Sequence, residues 1–325
     1  MKSRIQEQYG LNVVNISQIL TGVGGQSYLI ETENEKYIVK GIHADDEYVR
    51  NEPLIVDFLK TKNIPVTKYI KDRYGQYLWQ EGKTVYHMQQ FVEGVILPLN
   101  EAPDWFLDES AAILGKVHSA LSDFKRLPVG MGADFLEFIT SAYPKECYIK
   151  TIEKAKMQND KEIMADVEYR LSQLERLKDI VFDLNRFTCC NTHGDYKINQ
   201  IICDNNHISA IIDWTSACVH PVCWEIIRSF TYADPFCREG SINADRLIRY
   251  IEIYLQYYPL NKYDLEMMPY FFYHQILACD YYGQFFNSTD SNKEDFLFQA
   301  KFATKLIRWF EKNAADLSIK LAALS

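Results

Sequence analysis

Two aspartates eighteen residues apart, Asp195 and Asp213, frame the stretch HGDYKINQIICDNNHISAIIDW from His193 to Trp214. An amide pair, Asn199 and Gln200, follows the first acid by four and five residues. Between the acids lie two short β-rich runs, Gln200 to Cys203 and Ile208 to Ile212, joined by Asp-Asn-Asn. The pattern predicts a hairpin that holds two carboxylates at one end of a ribbon. Phosphoryl transfer uses such an arrangement: one carboxylate orients an attacking hydroxyl, and another, with an amide, holds magnesium on the phosphates. Each aspartate taken alone also suits a plain turn. His193 is expected to hold the loop by hydrogen bonds, because Asp195 already fills the base position.

Two further features would serve the same chemistry. Thr21-Gly22-Val23-Gly24-Gly25-Gln26-Ser27 lies between two predicted strands. That placement excludes a Walker-type loop and a dinucleotide fold, both of which need a helix N-terminus. A strand-turn-strand can still fold over phosphates and offer N–H groups at Gly24 and Gly25, although glycines also make simple turns. Lys40 closes the apolar strand Tyr37–Lys40, and Glu52 follows twelve residues later on a predicted helix. The two can form an ion pair that holds the ammonium toward the α- and β-phosphates, with Glu47 as a substitute partner nearer the helix start. The ordered set of glycine turn, lysine, glutamate, aspartate, amide and aspartate is far more specific than any member.

The elements that must position these groups fall into two kinds. Residues 17–94 read as five strands and one helix. In that helix Val49, Leu54, Ile55 and Leu59 lie broadly on one side and Pro53 falls in an early turn. The character changes near Gly94, where VILPLNEAPDW reads as a linker. This divides the chain into 1–93, a nucleotide-binding lobe, and 94–325, a catalytic and substrate-binding lobe. The second lobe is mostly helical. Its first helix carries Ala112, Leu114, Val117 and Leu121 at helical intervals, with Asp108 or Ser110 as its cap. Residues 161–186 read as one charge-laced helix. Leu247, Ile248, Ile251, Leu255 and Tyr258 form one later stripe, and Phe296, Ala300, Ala303, Ile307 and Phe310 another.

Bulk numbers narrow the class. The 325 residues suffice for two lobes with real cores, and 47% hydrophobic with 24% charged residues argues against long disordered tracts. A net charge of −9 speaks against a nucleic-acid partner. The N-terminus lacks the apolar core of a signal peptide, and no run of about 18 apolar residues predicts a membrane span. The eight cysteines contain no CxxC pair, so reduced thiols and a cytoplasmic location are expected.

The chain resembles the aminoglycoside phosphotransferase and choline kinase family, which shares the protein-kinase-like fold. HGDYKINQII and IIDW carry the resemblance most sharply, and LGKVHSAL resembles a family helix ending in a Leu-His type pair. The resemblance implies an α+β, bilobal architecture: a small β-rich N-lobe with one main helix and a larger helical C-lobe. It implies ATP (or GTP) as donor, Mg2+ as cofactor, and a small-molecule hydroxyl substrate. By the same resemblance Asp195 is the catalytic aspartate, Asp213 binds magnesium, and Lys40 and Glu52 are the N-lobe ion pair. Gln90 and Val92 would offer backbone groups to adenine, and Glu225 would anchor the large lobe. The family commonly has asparagine five residues after the catalytic aspartate. Here Gln200 stands there, with Asn199 as its rival for the metal. The acceptor stays open between aminoglycosides, choline-like cations, amino alcohols, sugars and nucleosides. It is expected among the helices after Phe230, a region rich in aromatics and carrying Asp264, Glu266, Asp280, Asp290, Glu294 and Asp295. A catalytically weak or inactive kinase-like binding or coat-associated protein is the alternative, supported by the glutamine. A protein kinase is disfavoured by the absence of an activation segment. Nothing in the chain sets its oligomeric state.

Overall fold

The computed structural model describes residues 1–19, 26–43, 47–130, 143–288 and 292–325. Its N-terminal region is built on a six-stranded antiparallel sheet. The strands are β1 (Asn15–Ile19), β2 (Gln26–Glu31), β3 (Lys36–His43), β4 (Tyr69–Ile70), β5 (Leu78–Glu81) and β6 (Thr84–Gln90). Alternation along β3 and β6 sorts the side chains to two faces. Tyr37, Val39, Tyr86 and Met88 join Ile5, Val13, Ile30 and Trp79 in a core under α1 (Lys2–Tyr9), a helix that the sequence reading missed. Lys40 and His87 are paired in register and so share the opposite face.

That second face meets α2 (Glu47–Thr61). Glu52, Ile55, Val56 and Leu59 are its buried side, at i, i+3, i+4 and i+7. Leu54, expected on this face, is 44% exposed instead, because it is one residue out of phase with that stripe. Pro53 lies inside the helix, in the second turn rather than the first.

The C-terminal region is mainly helical. It contains α3 (Asp104–Leu121), α4 (Tyr143–Met157), α5 (Lys161–Leu177), α6 (Val222–Ala233), α7 (Ala244–Leu255), α8 (Lys262–Ala278), α9 (Tyr281–Asn287) and α10 (Lys293–Ala322). The core packs α3, α6, α7, α8 and α10 together. The α3 cap differs from expectation. The helix starts earlier, after Pro103, so Asp108 pairs with Arg249 and Ser110 is buried against Tyr196 and Tyr250. The helix predicted over 161–186 stops at Leu177. Phe182 and Phe187 turn inward onto Phe271, at 5.2 and 5.0 Å between rings, and this packing overrides the local helical pattern.

Two small sheets complete the frame. β8 (Cys189–Thr192) pairs with β11 (Cys218–Pro221), and β9 (Ile201–Asp204) lies between β7 (Val95–Ile96) and β10 (His207–Ile211). The linker read from 95 onward therefore contributes a strand. The β9–β10 hairpin turns through Asn205 and Asn206, both at positive φ, as a tight two-residue turn requires. Asp195 precedes this hairpin and Asp213 follows it, so both stand near its open end.

Candidate active site

The segment entering the site is clamped from below. Glu225, fully buried on α6, accepts the His193 N–H at 3.2 Å and the Tyr196 N–H at 3.4 Å. Its Oε2 also lies 2.9 Å from Nε2 of buried His118, whose Nδ1 meets the Tyr254 hydroxyl at 2.8 Å. Burial pushes the Glu225 carboxyl up, and His118, His193 and the Tyr196 N–H together outweigh it and hold the group below the usual glutamate range. The His193 ring takes the Asp195 N–H on Nδ1 at 3.2 Å and faces the Ile212 carbonyl with Nε2 at 2.9 Å. An Nδ1 that accepts leaves the proton on Nε2, so His193 is a neutral strut between the two acidic turns. Gly194 has φ 79°, and a Cβ there would lie 1.9 Å from the Ser216 carbonyl oxygen.

Asp195 is engaged at both oxygens. Arg228 Nη2 reaches Oδ1 at 2.6 Å, and Oδ2 receives Lys197 Nζ at 3.2 Å and Gln200 Nε2 at 3.0 Å. Burial pushes this carboxyl up, but Arg228 first and Lys197 next hold it well below the usual range. Arg228 sits three residues after Glu225, on the same face of α6.

Asp213, two residues beyond β10, adopts a left-handed conformation, φ 63° and ψ 62°, which an aspartate tolerates better than most residues. The bend directs its carboxylate toward Lys40, and the two form an ion pair across the two regions. The Thr215 hydroxyl donates to Oδ1 at 2.6 Å, and Gln200 Nε2 lies 3.5 Å from Oδ2. The expected Lys40–Glu52 ion pair is therefore not formed: Lys40 pairs with Asp213 instead. Glu52 accepts the Trp214 N–H at 3.0 Å and has buried His87 at 3.4 Å. Glu52 still acts on Lys40 through space. Burial lowers the lysine, while Glu52 and then Asp213 raise it above its usual value. Burial raises Glu52, but Lys40 and then His87 bring it down to about 2.

Gln200 touches both acids, whereas Asn199 is exposed with no contact to either among the described residues. The Gln90 N–H is already bonded to the Lys68 carbonyl at 2.8 Å, so that donor is not available to a nucleotide. Val92 makes no backbone–backbone hydrogen bond among the described residues. Gly24, Gly25 and Asp290 lie outside the described residues, as does the Glu47 side chain. The acids expected to recognise a substrate mostly do other work. Asp264 caps α8 and binds Thr188, Asp280 caps α9, and Glu266 pairs with Lys262. Glu294 and Asp295 are exposed in the first turn of α10. Sequence reasoning missed Lys197, Arg228 and His87. The signals were present: Lys197 lies two residues after Asp195, and Arg228 one helical turn after Glu225.

The site residues suit magnesium. The Asp213 carboxylate and the Gln200 side chain are adjacent, and a half-turn of the amide puts its oxygen where the nitrogen stands. Mg2+ takes one or two carboxylates and draws its remaining ligands from phosphates and water.

A model of the phosphotransferase enzyme family matches residues 15–260. Comparison with curated protein sequences finds no match. Among solved structures, a spectinomycin phosphotransferase in complex with ADP and spectinomycin is 15% identical, with a TM-score of 0.61 over 98% of this chain and 97% of that one. An amicoumacin kinase in complex with AMP-PNP and Ca2+ is 12% identical, with a TM-score of 0.63 over 97% and 92%. A microcompartment-associated aminopropanol kinase is 11% identical, with a TM-score of 0.66 over 98% of both chains. The likeness at these identities is one of fold, and the α+β, bilobal kinase-like architecture is common to all.

Proposed function

The chain belongs to the phosphotransferase enzyme family, and from that premise we propose that it is an ATP-dependent kinase of a small hydroxylated molecule. The observation that carries this reading is the convergence of Asp195, Asp213, Lys40 and Gln200 on one place, from strand β3, the segment between β8 and β9, and the turn after β10. Residues 1–93 would hold the nucleotide, and 94–325 would supply the catalytic and acceptor groups.

Lys40, held charged by Glu52 and Asp213, would fix the α- and β-phosphates. The Val92 backbone would face the adenine. Asp213 and Gln200 would hold Mg2+, with Asn199 the lesser candidate because its side chain points to solvent. When bound, the cation would neutralise charge on the β- and γ-phosphates. Asp195 would orient the acceptor hydroxyl and take its proton as the new O–P bond forms. The bond between the γ-phosphorus and the β–γ bridging oxygen breaks, and ADP leaves. Alignment and charge neutralisation supply most of the rate in such a loose transition state.

The test is ADP release, with mass detection of the phosphorylated product, across aminoglycosides, choline, amino alcohols, sugars, nucleosides and hydroxy acids. Magnesium-dependent phosphorylation of one class supports the reading. A second reading has one specific observation behind it: both Asp195 oxygens are already engaged. Nucleotide binding without turnover on the whole panel is the result that favours this alternative, a kinase-like binding protein.

A further inference from the structure

Behind Asp195, helices α6, α8, α9 and α10 enclose a cavity of about 130 Å³. Its wall is largely aromatic, with Trp224, Tyr232, Phe272, Tyr281 and Phe302, and includes Arg228. No carboxylate is among the lining residues described. Arg228 lies 5.2 Å from the Trp224 ring and 5.1 Å from the Tyr232 ring, within cation–π reach of both. Its Nη2 binds Asp195, while Nη1 is buried and has no hydrogen-bond partner among the described residues. An unpaired buried guanidinium nitrogen is costly unless something arrives to accept from it.

The charge balance points the same way. Two cations, Arg228 and Lys197, converge on the single carboxylate of Asp195. Lys197 lies 5.9 Å from the other side of the cavity wall, at the Tyr232 ring. An ammonium-bearing acceptor entering here would lose its water against two cations, which is unfavourable. An anion would relieve the same repulsion. Size also discriminates: a cavity of about 150 Å³ holds a benzene ring, so this one has no room for a multi-ring antibiotic.

Resting on the kinase reading above, we propose that the acceptor is a small hydroxylated carboxylate, no larger than a single unsubstituted ring. Its carboxylate is received by the Arg228 guanidinium, and its apolar part by the aromatic wall. Arg228 then bridges the acceptor's anion to the catalytic aspartate, which places a neighbouring hydroxyl beside Asp195. A guanidinium fork suits a carboxylate in a way that a lysine does not.

The experiment compares matched acids and amides. The probes are 3-hydroxybutyrate and 4-hydroxybutyrate, each with its primary amide, alongside kanamycin and choline. ADP release and product mass are read with magnesium and ATP. Each acid is expected to exceed its amide at least tenfold in kcat/KM, and Arg228→Gln to bring that ratio near unity. A structural role for Arg228 would lower both members of a pair alike and leave the ratio intact. Ala303→Leu, which fills the cavity without touching Asp195, is expected to lower kcat/KM for the acids at least tenfold and spare KM for ATP. Unchanged kinetics in that variant would remove the cavity as the acceptor's place. If the amides, kanamycin or choline match or exceed the acids, this inference falls while the kinase reading stands. If no probe is phosphorylated, calorimetric titration of 4-hydroxybutyrate into the protein with magnesium and AMP-PNP decides. Binding lost in Arg228→Gln upholds the anion site, and no binding overturns it, leaving the kinase reading to the wider panel.

Discussion

Asp195 joins two jobs in one side chain, because the carboxylate suited to steer a hydroxyl also neutralises Arg228 and Lys197. Asp195→Asn keeps the shape and removes the charge. It is expected to lower kcat by about 10²–10⁴-fold while leaving KM for ATP near its original value, as read by steady-state ADP release. Turnover close to the parent would take Asp195 out of the mechanism. The metal assignment separates by a magnesium titration. Gln200→Leu should raise the magnesium needed for half-maximal rate at least tenfold, and Asn199→Leu should not change it, since only Gln200 meets the two acids. Glu52 gives a pH prediction. Its carboxyl is at about 2 in the folded protein against an ordinary 4.5, so the unfolded chain binds that proton more readily. The stability it supplies is complete above about pH 4.5 and is lost as pH falls toward 2, a component of up to about 3 kcal/mol. In Glu52→Gln the acid limb of a stability-versus-pH curve should be shallower over that window. An unchanged limb would contradict the assignment. At this scale the sequence was informative where spacing and chemistry coincide, as at Asp195 and Asp213. It named Glu52 as Lys40's partner and not Asp213, because the left-handed bend at Asp213 that brings the acid to the lysine has no marker in composition or period.

Elements position these groups through a few close approaches. The segment after β8 passes so near the turn after Asp213 that Gly194 has no space for a methyl: the obstructing atom is the backbone oxygen of Ser216 at 1.9 Å, not a side chain that could swing away. Gly194→Ala must therefore shift one of the two turns that carry the acids. We expect kcat to fall at least a hundredfold, since small displacements of aligned groups are that costly, and a lower melting temperature besides. Parent-like kinetics together with a parent-like melt would show that the two turns are free to separate. The elements themselves were legible to differing degrees. The β9–β10 hairpin was readable because Asp-Asn-Asn between β-rich runs has one economical fold. The face of α2 was only partly readable, since Pro53, Leu54, Ile55 and Val56 are consecutive and four apolar neighbours fix no phase. The buried side is instead set by Glu52 turning inward to Trp214 and His87. The end of α5 was hidden because the contacts that stop it come from Phe271, some ninety residues further along the chain.

In the molecule as a whole, the two regions meet through the same groups that would handle the nucleotide. Lys40 pairs with Asp213, Glu52 receives the Trp214 N–H, and the segment before β4 bridges β10 at Val66 and Ile211. The protein carries a net charge of −9, yet Lys40, Lys197 and Arg228 cluster about the two aspartates. A polyphosphate would therefore meet a local cationic focus within an acidic surface. Magnesium would sit on Asp213 as the phosphates take Lys40, so each end of the existing ion pair exchanges its partner for one of opposite charge. Because that exchange needs both ions at once, nucleotide and metal should stabilise the fold together rather than separately. At 100 times Kd a ligand adds about 2.7 kcal/mol, or about 5 °C in melting temperature for a chain of this size. Magnesium with AMP-PNP is expected to give a shift of that order in a thermal melt, and chelating the metal to remove more than half of it. In Asp213→Asn the nucleotide shift should become insensitive to magnesium. A shift of equal size with and without the metal in the parent protein would mean that Asp213 and Lys40 do not share a nucleotide between the two regions.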